Sequence, residues 1–194
     1  PVAILAQAPS AAGTGIDRIR TPNQRAMAEP AQKKARTEGY ALNINAAVDK
    51  EWEAKSFREI AAAPVEALQG IGPKGKEQLE KLKITTVKDL ADWKYFKVAQ
   101  AIAILAPKET AGQRHADTQL NINKAMDKAH ETKSLTEILD LPPSALQGLA
   151  EWTDKALGEL GITNISKLAE FKYAHWAQSI CTLADHESAD FASK

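Results

Sequence analysis

Shifted by about 78 residues, the segment from Leu42 to Glu109 aligns without a gap on Leu120 to Glu187, and about 31 of 68 positions are identical. Leu42-Asn43-Ile44-Asn45 returns as Leu120-Asn121-Ile122-Asn123, and Ala67-Leu68-Gln69-Gly70 as Ala145-Leu146-Gln147-Gly148. Lys94-Tyr95 returns as Lys172-Tyr173. Whatever one copy folds into, the other is constrained to fold into as well. The expected organisation is an extended arm over 1–41, a first helical repeat over 42–109, a connector over 110–119, a second repeat over 120–187 and a tail over 188–194. Each repeat is near the lower size at which a helical core stands alone.

Within a copy the signals are helical. Ile44, Ala47, Val48 and Trp52 recur at helical spacing and predict an amphipathic helix from Leu42 to about Ala54. Ser56-Phe57-Arg58-Glu59 has the form of a capping box, in which the serine oxygen and the glutamate three residues on satisfy each other's orphan amides. Ser134-Leu135-Thr136-Glu137 repeats it. A short helix is expected after each box, stopping before Pro64 or Pro142. Gly70-Ile71-Gly72 then turns the chain, and Pro73 suits the first turn of a following helix, where its missing N–H costs nothing. Thr86 and Asn164 are cap-type residues before Val87 and Ile165. A last helix carries Val98, Ile102 and Leu105 in one copy and Trp176, Ile180 and Leu183 in the other. No alternating strand pattern is present, so the fold class is all-α.

Leu68-Gln69-Gly70-Ile71-Gly72-Pro73-Lys74, with Leu79, Leu82 and Ile84-Thr85-Thr86-Val87 behind it, resembles the helix-hairpin-helix family. That resemblance implies a compact helical module in which Gly70, Gly72 and Gly75 set backbone amides against a phosphate, with Lys74, Lys76 and Lys81 adding charge. It supplies one reading, a DNA- or RNA-binding module. In copy two the same place reads Ala150-Glu151-Trp152-Thr153, with both glycines gone, an acid where Pro73 stood and an indole where Lys74 stood. Basic and acidic residues number 25 each, so no global field draws in a polyanion. Useful affinity for a nucleic acid takes about 6–10 phosphate contacts, which one hairpin does not supply. Nucleic acid is therefore the disfavoured partner.

Enzymatic chemistry has little to rest on. There is no nucleotide-type glycine loop, and the four histidines, His115, His130, His175 and His186, are scattered without metal spacing. Cys181 is the one cysteine, faces Ala103 in the alignment, and reads as a packing residue. No apolar run of about 18 residues is present to span a bilayer. The chain starts at Pro1, as expected of a product whose targeting segment has been removed. Its first 40 residues are rich in Ala, Pro and Gln and lack the apolar surface to offset their ordering entropy alone. Such an arm is expected to order along another protein, with Arg18 and Arg20 among the basic positions meeting an acidic surface or lipid headgroups.

A protein-contact module fits what remains. Trp93, Tyr95 and Phe96 in copy one match Phe171, Tyr173, His175 and Trp176 in copy two as aromatic clusters. Trp93 and Phe171 are expected in the core, whereas Tyr95, Tyr173, Trp176 and Trp152 are candidates for partner binding, since aromatics with a polar handle are enriched at interfaces. The twice-repeated Asn-Ile-Asn, Lys-Ser-x-x-Glu-Ile, Ala-Leu-Gln-Gly and Leu-Ala-x-aromatic-Lys-Tyr segments resemble plastid linker proteins of photosystem I–chlorophyll a/c antenna supercomplexes from algae with red-derived plastids. That resemblance implies a non-enzymatic scaffold at the thylakoid periphery, peripheral to the membrane and not spanning it. Antenna and photosystem subunits would be its partners, and chlorophyll an accompanying cofactor. Chlorophyll magnesium takes one axial ligand, for which His175 and His130 are the candidates.

Overall fold

The computed structural model describes residues 40–188; the arm, with Arg18 and Arg20, and the end of the tail lie outside the described residues. The described residues from Leu42 onward lie in one unit. That unit is all-α: among the described residues there is no strand, only three isolated bridges. Its helices are α1 (Phe57–Ala62), α2 (Pro73–Lys81), α3 (Val87–Asp92), α4 (Lys94–Leu105), α5 (Leu135–Leu139), α6 (Glu151–Gly158), α7 (Ile165–Ala169) and α8 (Lys172–Asp185). The elements α5 to α8 begin about 78 residues after α1 to α4, with a 3₁₀ turn before each hairpin, Val65–Ala67 and Pro143–Ala145.

The helix starts follow local chemistry. Ser56 and Glu59 close a reciprocal capping box on α1, and Ser134 and Glu137 close its counterpart on α5. Thr86 and Asp89 do the same on α3, and Asn164 caps α7. Pro73 occupies the first turn of α2 behind Gly72. One expectation is corrected: residues 42–54 are turns and not a helix. Val48, fully buried, forms an antiparallel bridge with Leu68, and the bonds Asp49 N–H to Ala67 O (2.9 Å) and Gln69 N–H to Ala47 O (3.0 Å) commit the backbone to the pre-hairpin turn. Met126 bridges Leu146 in the same way, between 3₁₀ turns at Asn123–Ala125 and Lys128–His130. A tertiary backbone pairing has displaced the i to i+4 ladder that the apolar spacing alone suggests.

The packing is not two cores side by side. Helix α8, the last of copy two, lies on α1 and α3 of copy one, while α4, the last of copy one, lies on α5 and α7 of copy two. Each copy has exchanged its final helix for the other's. Ala174, Ala177, Ile180 and Ala184 of α8 and Phe96, Ala99 and Ile102 of α4 are buried in this arrangement. They join Ile60, Leu90, Ile138 and Leu168 in one continuous core. The exchange is fastened at both ends by carboxylates. Glu187, past α8, accepts from Phe57 N–H (2.7 Å) and Arg58 N–H (3.1 Å) at the start of α1. Its counterpart Glu109, past α4, accepts from Leu135 N–H (2.8 Å) and Thr136 N–H (2.9 Å) at the start of α5. An anion there satisfies orphan amides and meets the positive end of the helix. Arg58 adds bonds from Nε to the Ala184 carbonyl (3.1 Å) and from Nη2 to the Glu187 carbonyl (2.8 Å).

Candidate functional site

The two hairpins are the places where the sequence points to ligand contact. Gly70 and Gly148 have φ of +100° and +98°, a conformation that glycine adopts without a Cβ penalty. Both glycines are exposed, but on the side where a Cβ would stand each meets a tyrosine. A Cβ on Gly70 would stand 2.6 Å from the Tyr173 hydroxyl, and one on Gly148 would stand 2.7 Å from the Tyr95 hydroxyl. Each tyrosine thus comes from the exchanged helix of the opposite copy and abuts that hairpin on one side. Tyr95 packs edge-on to Trp93 (5.4 Å between centroids) with Lys94 Nζ over its ring at 4.6 Å. Tyr173 packs edge-on to Phe171 (5.4 Å) and Trp176 (5.5 Å), with Lys172 Nζ at 4.7 Å.

Tyr95 and Tyr173 are half-buried against the chain's own core, and part of the surface of each ring is taken by the opposite copy. Trp176 is half-buried, with Lys172 Nζ 5.2 Å from its ring. Trp152 differs: it is 55% exposed in the first turn of α6. Phe96 of the first aromatic cluster is fully buried and Phe171 is buried as expected, whereas Trp93, also expected in the core, is half-buried against it.

The phosphate-binding set does not assemble around an open turn. Gly70, though exposed, is abutted by Tyr173 on its Cβ side, and Gly75 faces Ile71 and Leu160, which a Cβ would approach to 3.4 and 3.6 Å. Gly72 has open space, and Lys74 is exposed beside it. The hollow at this turn is lined by Asp49, Glu51, Glu66, Glu77 and Glu80, with Lys76. Lys76 Nζ is 2.6 Å from Glu66, which holds its pKa above the usual lysine range, and Lys81 Nζ is 2.9 Å from Glu77. A phosphate entering here meets these carboxylates with Lys76 and Lys81 already paired, and among the described residues only Lys74 stands beside the turn without an ion pair. In copy two the place of the Lys76–Glu66 pair is taken by Asp154, which accepts from Ser144 N–H at 2.8 Å.

Of the histidines, His175 is held at both ring nitrogens: Nε2 lies 2.7 Å from the Ala169 carbonyl and Nδ1 lies 3.2 Å from Gln100 Nε2. A carbonyl only accepts, so Nε2 carries the proton and Nδ1 accepts from the amide. The ring also stands edge-on to Phe96 at 5.0 Å. Ligating a pigment magnesium through His175 would break one of these bonds. His130 has a buried Nδ1 with no hydrogen-bond partner. Cys181 is half-buried, and burial pushes its thiol pKa up, away from a reactive thiolate. No group of three or more His, Cys, Asp or Glu among the described residues is placed to hold a metal ion, and no described helix is long and apolar enough to cross a membrane.

What the sequence did not reveal is the exchange of last helices. Glu109 and Glu187, identical and each closing its copy, were the available signal. No protein-family model, no curated protein and no solved structure matches this chain.

Proposed function

We propose that this chain is a non-enzymatic linker joining protein subunits of a larger assembly, and that the assembly is a plastid photosystem I–light-harvesting antenna supercomplex at the thylakoid periphery. The observation that carries the linker reading is the use made of the hairpins. The turn that serves phosphate binding in the family it resembles holds the opposite copy's tyrosine here, at both hairpins, while copy two sets an exposed tryptophan where copy one has Lys74. Turns that elsewhere bind ligand here make cohesion, and an outward indole is the kind of anchor that interfaces use.

The photosystem assignment rests on the repeated sequence segments that resemble antenna linkers, and chlorophyll enters with it. His130 is the better of the two histidine candidates, because His175 is engaged at both nitrogens. Carboxylates around Gly72 weigh against the nucleic-acid alternative. The deciding experiment is gentle purification of the native protein with its neighbours identified by mass. Recovery with chlorophyll-binding subunits is expected; recovery with none sinks the assignment. Nucleic-acid affinity that falls steeply between two salt concentrations would instead favour the hairpin reading.

A further inference from the structure

The duplication gives each cleft in one half a counterpart in the other, and one such pair differs. Between α1, α3 and α8 lies an open cleft of about 540 Å³, lined among others by Arg58, Ala61, Ala91, Lys97, Gln178 and Cys181. At the counterpart place in the other half, Leu139 stands for Ala61 and His175 for Lys97. There the His175 ring lies between the Ala169 carbonyl (2.7 Å) and the Gln100 amide (3.2 Å). Both gripping groups recur in the cleft, Ala91 for Ala169 and Gln178 for Gln100, and no ring lies between them. Lys97 turns to Asp92 instead, at 3.0 Å. Among the described residues neither the Ala91 carbonyl nor the Gln178 side chain makes a hydrogen bond.

The charges at the rim narrow the class of ligand. Lys88 and Lys97 both pair with Asp92, and Arg58 is engaged by the Ala184 and Glu187 carbonyls, so an anion finds no unpaired cation among them. Asp185 also lines the cleft and forms no ion pair among the described residues. A neutral or protonated ring is accepted here, and a phosphate or carboxylate is not.

We propose that this cleft takes an imidazole ring presented as a histidine side chain of a partner polypeptide, its N–H donating to the Ala91 carbonyl and its other nitrogen accepting from Gln178. The chain's own counterpart shows the geometry with a ring borne on a polypeptide, and the cleft is large enough for residues flanking the ring. Ala174 stands where Phe96 supplies the edge contact to His175, so the incoming ring lacks that contact and binds weakly and reversibly. The inference is independent of which assembly the chain serves.

Cys181 lines the cleft and is the one cysteine of the chain, so its alkylation rate in the full-length protein reports occupancy. At about pH 8, where imidazole is neutral, the rate should fall by 1 + [L]/Kd, about tenfold at ten times Kd. Imidazole and a blocked tripeptide with a central histidine should both protect, and a tripeptide with phenylalanine there should not. Gln178→Ala should abolish protection; so should Ala61→Leu combined with Lys97→His, which reproduces the plugged counterpart, with cooperative melting showing that each variant is folded. Absence of protection by imidazole overturns the proposal, as does protection that survives Gln178→Ala or is matched by the phenylalanine peptide. Protection by imidazole but not by the histidine peptide overturns the assignment to a partner chain.

Discussion

Replacing Gly148 by alanine tests the contact that joins the two copies. Two costs combine in Gly148→Ala. The backbone sits at φ +98°, where an L-residue is strained by about 1–2 kcal/mol. The new methyl would also stand 2.7 Å from the Tyr95 hydroxyl, so the ring must tilt against Trp93. Overpacking of that kind costs about 1–3 kcal/mol, and the lower half applies because the struck atom is the end of a side chain. The sum is about 2–4 kcal/mol, which urea unfolding with an unchanged m-value would read as a lowered midpoint. Tyr95→Phe removes the struck atom. In the double variant the steric part should return, giving a coupling of about 1–2 kcal/mol, while the backbone part stays. Gly72→Ala is the control, with open space and φ of −77°, and should change stability by less than about 0.5 kcal/mol. Additivity of Gly148→Ala and Tyr95→Phe within about 0.5 kcal/mol would mean that the tyrosine does not abut the hairpin, and the account of how the copies are joined would fail.

Glu109 has its pKa lowered, chiefly by the Leu135 amide and further by Thr136, and Glu59 and Glu137 are lowered chiefly by the Ser56 and Ser134 amides. A depressed folded-state pKa contributes stability above the unfolded pKa and loses it as pH falls through the folded value. Stability should therefore be flat from pH 7 to about 5 and decline below about 4.5. Glu109→Gln should cost about 0.5–2 kcal/mol at pH 7 and much less near pH 3, measured by denaturant titration at both; an equal cost at both would remove the charged cap from the account. A protease site placed between Gly112 and Asp117 should, once cut, leave the halves co-eluting at the size of the intact chain, because each holds the other's last helix. Two separately eluting folded fragments would refute the exchange. Trp152→Ala should change stability by no more than about 0.5 kcal/mol, since the indole is 55% exposed, yet weaken retention of partner subunits; a folded variant that keeps its partners would remove Trp152 from the interface.

Local chemistry made the helix starts legible. A serine or threonine with an acid three residues on, or a proline after a glycine, decides its structure within one turn, and α1, α2, α3 and α5 begin as those residues say. Residues 42–54 misled because the spacing of Ile44, Val48 and Trp52 fits a helix, while the deciding bonds run from Asp49 and Gln69 across to the partner turn. The cross-copy contacts of the tyrosines were hidden for a related reason. A polar aromatic reads as a contact residue, and each one has a contact between copies, with a glycine about 50 residues away for Tyr95 and about 100 for Tyr173. Periodicity reports which face of a helix is apolar, not which copy will cover it.

Sorting positions by whether the copies agree separates cohesion from specialisation. Gly70 and Gly148, Tyr95 and Tyr173, Glu109 and Glu187 are identical pairs, and each member contacts the opposite copy. This is the isologous pattern of a symmetric dimer, carried within one chain, where residue i meets j and its equivalent j meets i. A change at one member strains one of two equivalent seams, so identity is what the geometry requires there. Where the copies differ, symmetry makes no such demand. The second hairpin presents Trp152 in place of Lys74, and Ala61 with Lys97 opens the cleft that Leu139 with His175 closes. These differences leave the cross-copy contacts of the shared glycines, tyrosines and glutamates in place, although Lys97 and His175 themselves lie on the exchanged helices, and they alter what the surface offers. A fold that uses its shared residues to hold itself together can be given new contacts only at its unshared ones, and it is at Trp152 and in the Ala61 cleft that attachment to other chains is sought.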